Sequence, residues 1–174
     1  MISVLSGTDR PDSYTLRVAK FCTTHLESHG LDHQGFGLEA LPASFFQNRV
    51  YGATPADFES IAQQVIVQSD RFIIVVPEYN GSYPGVLKHF MDVLPPSLWK
   101  FKRCALIGLA SGRAGNLRGL DHLTAVCHYL QMEVYSQKPV LSAIHKQFDA
   151  ETGDLINPEY RALLENFLTG FLRF

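Results

Sequence analysis

Polar side chains and a glycine follow the first apolar run of the chain, Ile2–Leu5. Gly7, Thr8, Arg10 and Ser13 stand directly before a segment with helical periodicity. Free N–H groups and the dipole at the start of a helix attract anions, and hydroxyl groups and an arginine add donors and positive charge. The loop therefore predicts a phosphate site. The alternative is a local role, with Ser13 capping the helix and Thr8 lying in a turn.

This loop lacks the motifs that bind triphosphates and dinucleotides. It has no GxxxxGK[ST], the P-loop pattern for triphosphates, and no GxGxxG, the dinucleotide-binding pattern. A monophosphate is the ligand that fits the loop best.

A second loop, Pro77–Gly85, follows the most apolar run of the sequence. Tyr79 and Tyr83 offer planar faces, and Asn80 and Ser82 offer hydrogen bonds. A flat heteroaromatic ligand with polar edges needs this mixture of groups. The alternative is an ordinary turn that carries two surface tyrosines.

A third loop, Ala110–Asn116, is small and polar, and its backbone amides could contact the edge of the same ligand. Each loop alone is a weak signal. Three such loops after three buried strands are a stronger one, because the carboxyl ends of parallel strands meet at one edge of a sheet.

The elements that must position these loops alternate along the chain. Predicted strands are Ile2–Leu5, His33–Leu38, Phe72–Val76, Cys104–Leu109 and Glu133–Val140. Predicted helices are Ser13–His29, a helix capped by Thr54-Pro55 that runs to about Ser69, Gly85–Leu94, Asn116–Gln131 and Pro158–Leu172. The stretch Glu39–Thr54 is irregular, and a loop of that length is usually functional or partly helical.

This alternation predicts an α/β protein with a parallel sheet between two layers of helices. Two of the strands are apolar on both faces, which requires helices on both sides. The 174 residues carry no repeat and no linker, so residues 1–174 are expected to form one domain.

Composition excludes several classes of protein. Hydrophobic residues make up 46% and charged residues 18% of the chain, which excludes a disordered protein. A formal charge of −2 argues against nucleic acid or an anionic membrane as the partner. The start of the chain lacks a signal-peptide pattern, and no apolar stretch is long enough to cross a bilayer. We expect a cytoplasmic protein.

The cysteines and histidines predict no further chemistry. The three cysteines show neither CxxC nor zinc spacing, so reduced and buried thiols are expected. None of the seven histidines stands in HExxH or at ligand spacing from a carboxylate, and no metal site is predicted. Lys88 and Asp92 are four residues apart on a helix and are expected to form an ion pair, either a structural one or one that positions that helix or a subunit contact.

The three loops resemble those of the flavodoxin-like NAD(P)H-dependent FMN reductases, a family that includes quinone, azo-dye and chromate reductases. The family pattern PEYNxSxPGxLKxxxD is complete in Pro77–Asp92. Gly7–Thr15 follows the pattern GSxRxxSxN with substitutions, and Ser111–Asn116 is a looser match to the Gly-rich segment of the family. The likeness covers residues 2–131.

The resemblance implies a flavodoxin-like three-layer sandwich whose five-stranded sheet has the order 2-1-3-4-5, with FMN bound non-covalently. It places Thr8, Arg10, Ser13 and Thr15 at the FMN phosphate, with Tyr14 beside them. It assigns the ribityl chain and ring to Pro77, Glu78, Tyr79, Asn80, Gly81 and Ser82, with Ser111 and Gly112 nearby. Thr8 and Thr15 replace the commoner Ser and Asn, which keeps their hydrogen-bonding capacity. In the third loop, Ser111-Gly112 and Asn116 replace a more glycine-rich version, so the resemblance does not assign the contacts with the ring edge or the substrate mouth.

The hypothesis for function follows from this resemblance. NAD(P)H would reduce the bound FMN, which would then reduce a small acceptor such as a quinone, an azo compound, free flavin or a metal oxyanion. Because the hydride chemistry belongs to the cofactor, no acid–base side chain is nominated as catalytic. The family also suggests a homodimer or homotetramer. The alternatives are a flavodoxin-like electron carrier, against which the near-neutral charge argues, and a flavin-free enzyme that binds a nucleotide phosphate.

Overall fold

Parallel strands alternate with helices along the chain, as the apolar periodicity predicts. The computed structural model describes residues 1–47 and 56–174. The strands are β1 (Ile2–Ser6), β2 (His33–Gly37), β3 (Arg71–Pro77), β4 (Arg103–Leu109), β5 (Glu133–Val134) and β6 (Val140–Leu141). The α-helices are α1 (Tyr14–Ser28), α2 (Ala56–Ala62), α3 (Gly85–Asp92), α4 (Leu117–Tyr129) and α5 (Pro158–Arg173).

The sheet has the order β2-β1-β3-β4-β5, which confirms the predicted order 2-1-3-4-5. Every pair is parallel, and the register aligns Ser6 of β1 with Val75 of β3. The chain moves outward from β1 to β2 and then returns to place β3 on the other side of β1. The gap between β1 and β3 is therefore the switch point where ligands of such sheets bind.

Both faces of the sheet are buried, which explains the unbroken apolar runs of β3 and β4. Ile73 and Val75 point to the face covered by α1 and α5. Phe72, Ile74 and Val76 point to the opposite face, against α2, α3 and α4. The predicted helices on both faces are confirmed, and the two layers hold the carboxyl ends of β1, β3 and β4 at one edge.

The predicted strand Glu133–Val140 is wrong as a single element. The chain forms β5 and β6 instead, and both pair with β4. Between them the Tyr135 amide still donates to the Cys104 carbonyl of β4 at 2.8 Å. The Tyr135 ring packs against Phe167 and Phe171 of α5, at 5.7 and 6.0 Å between ring centroids. Pro139 has no N–H to donate, and only its carbonyl joins the sheet, accepting from the Gly108 amide at 2.9 Å.

The stretch predicted as irregular, Glu39–Thr54, is partly helical over its described part. Short 3-10 turns occupy Leu38–Ala40 and Ala43–Gln47. The predicted cap Thr54-Pro55 lies outside the described residues. From Ala56, α2 runs to Ala62 and passes into a π-helical turn at Gln63–Val67, close to the predicted end near Ser69.

The other helix boundaries differ from prediction by few residues. Asn116, expected as the first residue of a helix, instead precedes α4 with a left-handed backbone, at φ 72°. Among the described residues, no helix is long and apolar enough to span a membrane.

Candidate functional site

The three polar loops come together at the carboxyl ends of β1, β3 and β4. They comprise residues 7–13, 78–84 and 110–116, the loops that the sequence singled out. The first two flank the switch point between β1 and β3. Their meeting confirms the prediction that the loops share one sheet edge.

The first loop lies directly on β3. The amide of Gly7 donates to the carbonyl of Val75 at 2.9 Å, and a Cβ atom at Gly7 would stand 2.9 Å from that same oxygen. Only glycine allows this close approach without displacing the loop. Thr8 is fully buried behind it, whereas Arg10 is exposed and its guanidinium faces solvent.

The start of α1 offers free donors for an anion. The Ser13 side chain caps the helix by accepting from the Leu16 amide at 3.2 Å, as the local alternative predicted. Within the described part of the chain, the amides of Tyr14 and Thr15 have no hydrogen-bond partner. These amides, together with the exposed Arg10 guanidinium, form a donor set that suits a phosphate. Capping by Ser13 and phosphate binding by this turn are therefore compatible.

Tyr14 turns away from the other loops. Its ring packs against Phe148 at 5.6 Å between centroids, and the Arg17 guanidinium lies 5.2 Å from its centre. The side chain thus contributes to the packing of α1 rather than to the sheet edge, so only its backbone amide remains part of the donor set.

The second loop contains a tight hairpin turn. The amide of Tyr79 donates to Ser82 at 2.8 Å, and the amide of Ser82 donates to Tyr79 at 3.1 Å. Asn80 and Gly81 between them both have positive φ, at 52° and 80°, which defines a type I′ turn and explains the Asn-Gly pair. We call residues 78–82 the hairpin. It projects from the end of β3 beside the first loop.

A hydrogen bond joins the first loop to the hairpin. The Thr8 hydroxyl lies 2.7 Å from the Tyr79 hydroxyl, and it also accepts from the Arg10 amide at 3.2 Å. Thr8 therefore acts as the link between the phosphate-type loop and the hairpin. The sequence predicted both residues for the site but not this direct contact.

Helix α4 holds the hairpin from the other side, through residues that the sequence analysis did not assign. The Asn116 amide donates to the carbonyls of Val76 and Pro77, at 3.0 Å each. Further along the same helix, an Arg118 guanidinium nitrogen lies 3.6 Å from a Glu78 carboxylate oxygen, and His122 Nδ1 lies 2.9 Å from the Ser82 hydroxyl. The signal for the last two was the i, i+4 spacing on one helix face.

The third loop is open to solvent at Ser111 and Gly112, and a Cβ at Gly112 would meet no atom within 4 Å. Its position is set by the segment after β6. Ala143 donates its amide to Gly112 at 3.0 Å, and the Ser142 hydroxyl donates to Arg113 at 2.6 Å. The sequence carried no motif for this bracing segment, because it depends on the split last strand.

Charges of both signs surround this edge. The exposed guanidinium groups are those of Arg10, Arg113 and Arg118, and the acids beside them are Asp9, Asp12 and Glu78. The summed charge of the edge therefore selects no ligand, although each guanidinium group can bind phosphate oxygens.

Tyr83 and Lys88 follow the hairpin. Burial raises the pKa of the Tyr83 phenol, so it stays protonated and neutral. Lys88 forms the predicted ion pair with Asp92 at 2.7 Å within α3, and both side chains are partly exposed. This pair has the local geometry of an i, i+4 helix contact.

The cysteines lie in the core, away from this edge. Burial raises the pKa of Cys22 to about 12, and a hydrogen bond with Cys127 together with burial raises the pKa of the Cys104 thiol. All three thiols are free and buried, as predicted. The described residues contain no group of three or more His, Cys, Asp or Glu side chains placed to hold a metal ion.

A cavity of about 640 Å³ lies elsewhere, between α1, α5 and the turn around residues 148–155. It borders Ser13 and has a mixed lining. Its basic side chains are Arg17, Lys20 and Arg161, and its acidic side chains are Asp12, Glu151, Asp154 and Glu165. Charges of both signs line the cavity, so it selects no clear ligand class. The sheet edge carries the more specific set of donors.

Known proteins resemble this chain in sequence. The family model for NADPH-dependent FMN reductase matches residues 1–146. The chain is 34% identical to 2-hydroxy-1,4-benzoquinone reductase from Burkholderia sp, over 65% of this chain and 66% of that relative, just under two thirds of its length. It is 29% identical to probable NADPH:quinone oxidoreductase 2 from Oryza sativa subsp. japonica, over 99% of this chain and 87% of the relative.

Solved structures agree at the level of the fold. An apo NADH:FMN oxidoreductase superposes with a TM-score of 0.78 at 22% identity, over 98% of this chain and 87% of the other. A flavoenzyme NAD(P)H:(acceptor) oxidoreductase from Paracoccus denitrificans gives 0.77 at 23% identity, over 99% and 94%. A flavodoxin from Pseudomonas aeruginosa gives 0.58 at 17% identity, over 97% and 99%. With the family model matching most of its length, the chain belongs to the NADPH-dependent FMN reductases, oxidoreductases with a flavodoxin-like fold.

Proposed function

We propose that this protein passes electrons from NAD(P)H, through non-covalently bound FMN, to a small acceptor at the edge formed by the three loops. The observation that carries the proposal is the junction of Thr8 with Tyr79, which joins a phosphate-type loop to a planar aromatic platform at the switch point. A mononucleotide with a flat ring needs a phosphate site and a planar surface, and the separation between the two must match the length of the ligand.

The donor set fits the phosphate end of FMN. The unpaired amides of Tyr14 and Thr15, the Ser13 hydroxyl and the Arg10 guanidinium would hold the phosphate, while buried Thr8 and Thr15 shape the loop. Arginine is suited to this task because its donors match two phosphate oxygens at once.

The hairpin fits the ring end. Pro77, Glu78, Tyr79, Asn80, Gly81 and Ser82 would line the ribityl chain and the ring, with Ser111 and Gly112 at the far edge. The type I′ turn presents backbone groups of Asn80 and Gly81 without bulky side chains between them and a ligand. When bound, FMN supplies the electron chemistry, and the chain contributes binding, orientation and exclusion of competing reactions.

The acceptor is proposed to be a quinone, an azo compound, free flavin or a metal oxyanion. The relatives are a benzoquinone reductase, an NADPH:quinone oxidoreductase and FMN-dependent NADPH-azoreductases from Staphylococcus aureus, the last at 29% identity over 73% of this chain. The exposed, small third loop leaves the edge open to such molecules. An open mouth of this kind accepts planar molecules of several sizes.

We further propose a homodimer or homotetramer that works in the cytoplasm. Phe101 is 78% exposed and Tyr129 is 85% exposed, and large apolar groups at this exposure are typical of contact surfaces. Three free cysteines suit a reducing compartment. Light scattering on the purified protein tests the assembly, and a single monomeric mass at micromolar concentration would contradict it.

The function is tested by adding FMN to the purified apoprotein and then assaying NADH and NADPH oxidation with a panel of acceptors. The proposal expects one FMN per chain and turnover with at least one quinone or azo dye. FMN binding without NAD(P)H oxidation would instead identify an electron carrier. A protein that binds no FMN would identify a flavin-free enzyme.

A further inference from the structure

Asn116 lies fully buried between the end of β3 and the start of α4. Its backbone is left-handed, with φ 72°, a conformation that asparagine tolerates better than most residues do. Its carbonyl accepts from the Leu120 amide at 3.0 Å, but its side chain makes no capping bond to α4. A buried amide in a strained backbone, placed at a functional edge, points to a role outside the helix itself.

The side chain of Asn116 is directed at the last two residues of β3. Its amide nitrogen donates to the carbonyl of Val76 and to the carbonyl of Pro77, both at 3.0 Å. Pro77 immediately precedes the hairpin, whose own turn hydrogen bonds begin at Tyr79. The two bonds therefore fix the direction in which the chain leaves the sheet.

Helix α4 can lie close to Asn116 because residue 119 has no side chain. Gly119, one turn into α4, faces Asn116, and a Cβ atom there would overlap the Asn116 Oδ1 atom and stand 2.8 Å from the Ser82 carbonyl carbon. The missing side chain at Gly119 thus lets α4 approach both Asn116 and the hairpin. Among the described residues Asn116 Oδ1 has no hydrogen-bond partner, so the hydrogen bonds of this side chain are those of its amide nitrogen.

We propose that Asn116 is a positioning residue, which acts through the carbonyls of Val76 and Pro77 to hold the hairpin in the geometry that FMN requires. The inference rests on the proposed FMN function for its consequence, although the contact itself is independent of any ligand. The hydrogen bonds of the Asn116 side chain go to the end of β3 and not to the first loop. It sets the orientation of backbone that would face the flavin.

The chemistry of the contact makes the test specific. Asn116→Gly keeps a backbone that accepts positive φ and removes both donors. Asn116→Asp keeps the shape but places carboxylate oxygens against two carbonyl oxygens, which repel. Asn116→Asp is therefore expected to weaken FMN binding more than Asn116→Gly does.

A matched control is Ser3→Ala. Ser3 is also fully buried, and its hydroxyl donates to the Val65 carbonyl at 2.8 Å, near the opposite end of the sheet. The hydroxyl also lies 2.7 Å from the Ser69 hydroxyl and accepts from the Gln34 side-chain amide at 2.8 Å. The control therefore removes several buried side-chain hydrogen bonds without touching the hairpin. Any effect that comes only from lower global stability would appear in it too.

Two measurements on the whole chain test the proposal. Hydrogen exchange of the apoprotein reports the protection of the amides of Glu78 and Tyr79, which are hydrogen-bonded in the native fold. FMN titration reports affinity and the absorption spectrum of the bound flavin. We expect N116G to speed exchange in the hairpin and to raise the FMN dissociation constant, each about tenfold. We also expect N116G to change the flavin spectrum, N116D to weaken binding further, and S3A to stay within about twofold of wild type on both.

Hairpin exchange in N116G equal to wild type would overturn the proposal, and so would equal effects of N116G and S3A. An unchanged flavin spectrum and affinity, with faster exchange, would also overturn it, because Asn116 would then be structural only. If the wild-type protein binds no FMN, the proposed function fails and with it the flavin part of this inference. The exchange measurement then still decides whether Asn116 holds the hairpin.

Discussion

Single side chains at the sheet edge hold the loops together as well as offering donors to a ligand. Thr8 bonds to Tyr79, and Ser13 caps α1. The sequence predicted these residue types because loops after buried strands need hydrogen-bonding groups. Their partners could not be predicted, because a contact between residues 71 positions apart depends on the strand order. Asn116 was missed for the same reason, since its partners lie on another strand.

The phosphate assignment is tested by replacing both Arg10 and Ser13 with alanine. The double variant loses one charge-assisted donor and one hydroxyl, so FMN binding is expected to weaken by about 2–3 kcal/mol. Isothermal titration of the apoprotein with FMN measures this change.

The control for that experiment is Asn157→Ala. Asn157 caps α5 by accepting from the amides of Glu159 and Tyr160 at 2.9 and 3.2 Å, far from the loops. Its loss reproduces the capping penalty of about 1 kcal/mol in stability without removing a ligand contact. Unchanged FMN affinity in the Arg10 and Ser13 double variant would remove the phosphate site from this loop.

At the scale of elements, residues of α4 hold the hairpin that follows β3 in position. The apolar runs of β3 and β4 and the spacing of their loops were readable from sequence, because strands buried on both faces lack polar alternation. The split of the last strand was not readable. The split depends on tertiary packing, because the Tyr135 ring packs against Phe167 of α5. Pro139 then contributes only its carbonyl to the pairing with β4. The bracing of the third loop by Ser142 follows from that split.

Because α4 lies close to the hairpin, replacing Gly119 with alanine is expected to lower stability, whereas the same replacement in a helix usually raises it. Alanine usually stabilises a helix relative to glycine by about 0.5–1 kcal/mol. At Gly119 the added methyl group would overlap Asn116 and crowd Ser82, so Gly119→Ala is expected to destabilise the fold by about 1–3 kcal/mol. Chemical denaturation measures the change.

Gly85→Ala is the control for Gly119→Ala. A Cβ at Gly85 would meet no atom within 4 Å, so its free energy of unfolding is expected to stay the same or rise slightly. A stabilising Gly119→Ala variant would show that α4 does not pack as closely on the hairpin as described.

Helix α1 carries a pH-sensitive group against α5. Burial and the neighbouring His29 lower the pKa of His25, while Glu165 of α5 acts in the opposite direction. The unfolded chain therefore binds a proton more readily than the folded chain does. The free energy of unfolding is expected to fall as the pH drops from about 7 through the native pKa of His25.

His25→Gln should reduce that fall between about pH 7 and pH 5 in urea denaturation series. His128→Gln, at an exposed position of α4, serves as the control and should keep the wild-type slope. Identical slopes for wild type and His25→Gln would refute the assignment of this pH dependence to His25.

At the scale of the whole molecule, the candidate site residues lie at one edge of the sheet, and the remaining elements form the core that positions this edge. Composition alone indicated an ordered domain with a near-neutral charge, and the family motif added the cofactor class. The overall charge of −2 does not reveal where the charged groups lie. Only the fold shows that Arg10 lies at the same sheet edge as Arg113 and Arg118, which come from a distant part of the sequence.

The most direct test of this account is an anaerobic titration of the FMN-loaded protein with NADPH, followed by its visible absorption. The account predicts that the visible absorption band of the bound flavin bleaches with one equivalent of NADPH per FMN and returns when a quinone is added. A protein that takes up no FMN, or whose bound flavin keeps its colour with excess NADPH and NADH, would contradict the central claim.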